Sequence, residues 1–180
     1  LRRGELLAAT WKQLFIEEKR FVVARSLSFT TESRLNVNLP KSATSIRVVP
    51  VPDSLLSVLK KLRLEQARMK LMMGEAYHDN DLIVCRKDGS FYNPNGFTAS
   101  WRKATRKFEQ ATGIPNFTHH AMRSTLASFY TANGLSDIVA SKSLGHSSTQ
   151  VTQDYYLRPV EAELQRAAQM VEERVMRRIV

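Results

Sequence analysis

His120 and Arg123 stand three residues apart in the stretch THHAMRST, so a helix there would present both from one face and let them grip the same ligand. The intervening geometry sends His119 about 100° away on the 3.6-residue period, which makes it a surface or supporting residue. In SLGHSS, His146 follows a glycine of helix C-cap type, and Ser147 and Ser148 can cap the next helix, so the imidazole sits at a helix junction. Arg2 and Glu5 in LRRGELL are one helical turn apart, the spacing of an ion pair that contributes a few tenths of a kcal/mol. Lys41 lies near the tip of an expected hairpin arm, LPKSATSIRVVPVP, with Arg47, a DNA-binding candidate, on its returning strand. Each feature alone has a plainer reading: a solvated His/Arg pair, a turn histidine, a surface ion pair, a solubilising lysine. One cysteine and four scattered histidines provide no zinc-type pair of ligands, so no metal is expected.

Two adjacent tyrosines, Tyr155 and Tyr156, follow in QVTQDYYLRP. Neighbouring helical side chains diverge by about 100°, so they cannot both aim at one group. Tyr155 lies four residues after Val151 and continues an apolar position, whereas Tyr156 lies four after Thr152 on a more polar side. Tyr155 is therefore the better packing aromatic, and Tyr156 the candidate for chemistry, with Tyr155 as the alternative.

These residues need a scaffold, and the hydrophobic pattern outlines one. QLFIEE, RFVVARS, RLNVNLP and SIRVVPVP are short β-branched runs broken by polar turns, which predict a small antiparallel sheet near the N-terminus. From Pro52 the period becomes helical: Leu55, Leu56, Val58, Leu59, Leu62 and Leu64 predict a helix from the Asp53/Ser54 cap region to about Met73. Helical patterns follow at roughly 94–112, 118–133, 136–144, 147–156 and 160–179. The fold class is α+β, a mostly helical domain with a small sheet. At 180 residues a single core is the expectation.

Twenty-seven Lys and Arg against seventeen Asp and Glu give a net charge of +10, the electrostatic footprint of a nucleic-acid binder. Arg102, Lys103, Arg106 and Lys107 form one basic helical segment suited to backbone phosphates, or equally an exposed cationic face. The single cysteine, Cys85, excludes an internal disulfide framework and suits a reducing cytoplasm, and no apolar run approaches the length of a membrane span.

Taken together, LRRGEL, the Lys41 arm, HAMR, LGHSS and the Tyr-Leu-Arg-Pro ending resemble the catalytic domain of the tyrosine recombinase family, the phage-integrase type, over residues 1 to about 159. The resemblance implies a tyrosine recombinase-like fold and a metal- and ATP-independent DNA strand transferase that works through a covalent 3′-phosphotyrosyl intermediate. It makes Arg2, Lys41, His120, Arg123, His146 and Tyr156 the catalytic set, with Glu5 supporting Arg2 and Arg3 the neighbour most easily confused with it. Family members place the nucleophile nine or ten residues after the second histidine, and here both places are tyrosine. Two positions depart from the pattern: Ser124-Thr125 follow the His-x-x-Arg arginine, and Arg158 replaces a histidine after the tyrosine. No cofactor is implied. The implied partners are double-stranded DNA at specific sites, an N-terminal core-binding domain of the same protein, and further copies in a homotetramer. In that assembly the amphipathic segment 160–180 would exchange between protomers. A catalytically silent DNA-binding regulator and a type IB topoisomerase-like relaxing enzyme are the alternative functions on the same fold. The start at Leu1, directly in a helix-like run, carries the expectation that an upstream segment is missing.

Overall fold

The computed structural model describes residues 1–29, 35–38, 46–135, 139, 144, 164–166 and 168–174. A short helix α1 (Arg3–Leu7) is followed by strands β1 (Leu14–Phe15), β2 (Arg20–Val23), β3 (Ser26–Phe29), β4 (Leu35–Asn38) and β5 (Arg47–Pro50). Three longer helices come next: α2 (Asp53–Met73), α3 (Pro94–Thr112) and α4 (His119–Ala132). The mixed, mostly helical class therefore stands, and the helix bounds lie within a residue of those expected for α2, α3 and α4.

The strands form two small antiparallel sheets instead of one. β1, β2 and β5 lie in that order in the first, and β3 pairs with β4 in the second. The run RFVVARS is split, because its chain leaves the first sheet after Val23 and starts the second at Ser26. The expected hairpin between β4 and β5 is corrected by the same pairing. β4 is hydrogen-bonded to β3 in the register Leu27↔Val37, and β5 to β2 in the register Phe21↔Val49. The paired strands are thus β3 and β4. Lys41, between β4 and β5 in sequence, lies outside the described residues.

The core has two parts. Ala9, Phe21, Val23, Val51, Leu56 and Ile83 pack together, with Leu59 and Leu62 of α2 laid against them. Leu7, Ala8 and Leu27 form the other, beside Val37, Val84, Phe91, Tyr92 and Phe97. Of the apolar residues whose period marks the helix, Leu55, Val58 and Leu64 are exposed, so the buried stripe of α2 is narrow. Trp11 ties α2 down through an indole N–H donated to Gln66 Oε1 at 2.8 Å, and Gln66 donates in turn to the Ile83 carbonyl at 3.0 Å.

One glycine fixes where α1 can sit. A Cβ at Gly4 would lie 2.6 Å from both the Leu27 carbonyl oxygen and Ser26 Oγ, so a side chain there forces α1 off β3. Gly4→Ala is expected to destabilise the fold by about 1–3 kcal/mol, read as a Tm drop of roughly 5 °C. An unchanged melting curve would show that α1 is free to shift.

Residues 164–166 and 168–174 are helical, and Leu164 is buried. Glu172 accepts a hydrogen bond from the Ser54 backbone N–H at 3.0 Å, supplying a cap to α2, whose own N-cap residue is Pro52. In the single chain this segment therefore folds back on its own domain, against Pro50–Asp53 and the Glu17–Lys19 turn. Exchange with a neighbour, which the sequence favours over such folding back, is a property of an assembly and not of the single chain; the cap to α2 has no signal in the sequence.

Candidate active site

Three elements converge on one cleft of about 410 Å³, lined by Arg2, Arg3, Thr98, Thr118, His119, His120 and Arg123. Its far wall is the start of α4. Thr118 caps that helix, accepting from the Ala121 N–H at 3.0 Å, and so fixes the phase at which His120 and Arg123 leave it. The loop before the cap is held by Trp101, whose indole N–H donates to the Phe117 carbonyl at 2.9 Å. Trp101 belongs to α3, which is itself well delimited. Asn93 caps its start and accepts from the Asn95 N–H at 2.9 Å, Pro94 occupies its first turn, and Gly113 closes it in the left-handed region at φ 72°.

Arg2 is presented at the N-cap of α1 and is held by Glu5 in two ways. Its backbone N–H donates to Glu5 Oε2 at 2.6 Å and its Nη1 to Oε1 at 3.1 Å. The same carboxylate receives a bidentate pair from Arg47, Nη1 to Oε1 at 2.9 Å and Nη2 to Oε2 at 2.6 Å. Burial alone would raise the Glu5 pKa, but the hydrogen bonds from Arg47 and the Arg2 backbone, with both positive charges, pull it down to about 2. Arg47 was expected to contact DNA. Only 10% of its side chain is exposed and its guanidinium faces Glu5, so it is committed to fixing the carboxylate that orients Arg2.

Arg123 is half-buried in the cleft. Its Nη2 donates to the Leu144 carbonyl, and its Nη1 is buried with no hydrogen-bond partner among the described residues. Burial, then the charges of Arg2 and Arg47, lower its pKa from the ordinary arginine value. A buried guanidinium with an unsatisfied N–H, crowded by other cations, is a site prepared for an anion. His120 is exposed and opens onto the same space. Arg2, His120 and Arg123, expected to act together from their spacing and family resemblance, do share one cleft.

His119 was read as lying off this face, yet it lines the cleft too. It is half-buried, with its ring edge-on to Trp101 at 5.5 Å and to Phe97 at 6.4 Å. Burial first, and then neighbouring cations including Arg123 and Arg3, lower its pKa below 6.5, so at neutral pH it adds an uncharged wall. Helical phase separates His119 from His120 but says nothing about the width of the cleft, which Thr98 and α1 set from the other side. Arg102, Lys103, Arg106 and Lys107 are all exposed on α3. His146, Tyr155 and Tyr156 lie outside the described residues, as does Lys41.

The phage integrase family model matches residues 1–161. A tyrosine recombinase XerC-like protein from Caldanaerobacter subterraneus subsp. tengcongensis is 32% identical over 167 residues, which cover 87% of this chain and 42% of that protein. Among solved structures, the Tn1549 transposon integrase in complex with transposon right-end DNA superposes with a TM-score of 0.68 at 18% identity, covering 92% of this chain and 54% of the other. The XerA recombinase superposes with a TM-score of 0.59 at 18% identity, covering 90% and 52%. At these identities the structures speak to the fold, which is that of tyrosine recombinases. The chain spans about two-fifths of the length of its XerC-like relative and about half of the Tn1549 integrase chain. With a family match over nearly its whole length, the chain belongs to the phage integrase family.

Proposed function

We propose that the protein is a site-specific DNA strand transferase, cutting and rejoining DNA through a phosphotyrosyl intermediate. The observation that carries this reading is the cationic cleft in which Arg2, His120 and the partly unsatisfied Arg123 guanidinium face one space. Tyr156, with Tyr155 as the alternative, attacks a backbone phosphorus, forming a 3′-phosphotyrosyl bond and releasing a 5′-hydroxyl. Arg2 and Arg123 hold the non-bridging oxygens as charge redistributes in the transition state. His120 handles the tyrosine proton, Lys41 protonates the departing 5′-oxygen, and His146 hydrogen-bonds the phosphate. The phosphodiester energy is retained in the protein–DNA link, so attack by another strand's 5′-hydroxyl reseals the backbone without ATP.

The partners proposed are duplex DNA, gripped outside the cleft by Arg102, Lys103, Arg106 and Lys107, and an N-terminal DNA-binding region of the kind that the greater length of the relatives leaves room for. A homotetramer on DNA is proposed, in which the segment seated on its own α2 is passed to a neighbour. The Ser54–Glu172 hydrogen bond is the contact that such an exchange would have to release or remake.

Incubating the full-length protein with a nicked suicide duplex carrying its site is expected to give a covalent protein–DNA band on a denaturing gel. The band should be as strong in EDTA as in magnesium, because guanidiniums neutralise the phosphate. Strict magnesium dependence would overturn the proposed chemistry, and DNA binding without any covalent band would favour a silent regulator.

A further inference from the structure

Arg3 lines the same cleft but has no part in the scheme above. Its Nη1 donates to Thr98 Oγ1 at 3.0 Å, a contact that joins α1 to α3 across 95 residues of sequence. The Thr98 hydroxyl donates its one proton to the Pro94 carbonyl at 2.9 Å, so a lone pair is left facing Arg3. Arg3 is thus anchored by a neutral acceptor, and among the described residues no carboxylate pairs with it. Arg2 and Arg47, in contrast, both share the charge of Glu5. A guanidinium held in place with its charge intact, and with donors to spare, is arranged to bind a second anion.

Arg2 and Arg3 cannot serve the same oxygen pair. Arg2 stands at the N-cap with extended backbone (φ −74°, ψ 157°) and Arg3 in the first turn of α1, so their side chains leave the chain in different directions. The cleft, about 410 Å³ and without a carboxylate in its lining, has more room than one phosphate group needs. A DNA strand brings phosphates in series, one per ~3.4 Å of helix axis, so a strand that places one phosphate at Arg2 and Arg123 necessarily brings its neighbour close by.

We propose that Arg3, anchored by Thr98, is a positioning residue that binds the phosphate next to the scissile one on the cleaved strand. This rests on the strand-transfer reading of the cleft. Its effect is to fix the register of the strand, so that the scissile phosphorus is presented in line to the tyrosine.

The test uses the full-length protein and nicked suicide duplexes carrying a single methylphosphonate at the phosphate on either side of the scissile one. In the wild type, neutralising one of these flanking positions is expected to slow cleavage about ten- to a hundredfold, the weight of a hydrogen bond to a charged group. Arg3→Ala should slow cleavage of unmodified DNA by a similar factor and lose its sensitivity to that methylphosphonate. Thr98→Val, which keeps the charge and removes the anchor, should slow cleavage less and remain sensitive. Wild-type rates for Arg3→Ala, or undiminished sensitivity in that variant, would overturn the proposal, since a merely structural role predicts slowing without loss of phosphate sensitivity. Gel-shift affinities for the same duplexes separate this from the wider reading. If the wild type binds without cleaving, strand transfer fails, while matching affinity losses for the methylphosphonate and for Arg3→Ala, not additive when combined, would still support the phosphate contact. Additive losses would overturn it.

Discussion

Replacing Arg123 with lysine is expected to slow single-turnover cleavage by about a hundredfold or more, at nearly unchanged affinity for DNA. The guanidinium does two jobs that an ammonium on a flexible stem cannot. Its Nη2 is fixed by the Leu144 carbonyl, and its buried Nη1 has no partner among the described residues, so in the proposed reaction a donor is already oriented for an incoming oxygen. Lysine supplies the charge without the fork and without the carbonyl anchor at the same reach. Binding changes little because many other phosphate contacts share it, whereas the transition state relies on this one. Rates within about fivefold of wild type on the nicked duplex would mean that Arg123 is a structural cation and that the cleft is not the reacting centre.

Glu5→Gln is the substitution expected to cost most stability. It removes the charge of Glu5 from Arg47, a guanidinium that is nine-tenths buried, which destabilises by about 3 kcal/mol and lowers Tm by roughly 6–12 °C. The effect has a defined pH dependence. Glu5 has a folded-state pKa of about 2 against an ordinary value of 4.5, so its carboxylate stabilises the fold fully above pH 4.5 and progressively less as pH falls towards 2. After a discount for screening at the half-exposed Arg2, the shift corresponds to about 2–3 kcal/mol. The stability gap between wild type and Glu5→Gln, from urea melts, should therefore be widest near pH 7 and narrow below pH 4. A gap that stays constant with pH would show that Glu5 contributes through packing and not through charge. Cleavage by the variant should also slow, because the same carboxylate holds Arg2 by its backbone and its side chain.

The helices of the fold were readable because their end signals are local. Asn93-Pro94, Thr118 and Gly113 delimit α3 and α4 within a residue of the periodic pattern. Strand pairing was not, since the run RFVVARS covers β2 and only the first residue of β3, and only tertiary register puts these strands into different sheets. The same limit applies to Arg47. Its sequence neighbours say "strand" and its charge says "phosphate", but its partner Glu5 is 42 residues away, and only folding reveals the pair. Glu5 itself was correctly tied to Arg2, because a spacing of three in a helix is a local signal. His119 shows that helical phase alone does not decide membership of a cleft, as the opposite wall counts as much. Arg3 was passed over in the sequence because its significance lies in Thr98, a residue with no motif around it.

A tyrosine at the end of the LGHSSTQVTQDYY stretch is expected to become bonded to DNA under the charge of Arg2 and Arg123. The most direct measurement traps the adduct on a nicked duplex, digests it with nuclease and protease, and fragments the nucleotide-bearing peptide in a mass spectrometer. The account predicts a nucleotide linked through its 3′-phosphate to Tyr156. An adduct on Tyr155 would correct the choice of nucleophile, while an adduct on any residue other than these two tyrosines, or a 5′-phosphate linkage, would contradict the mechanism.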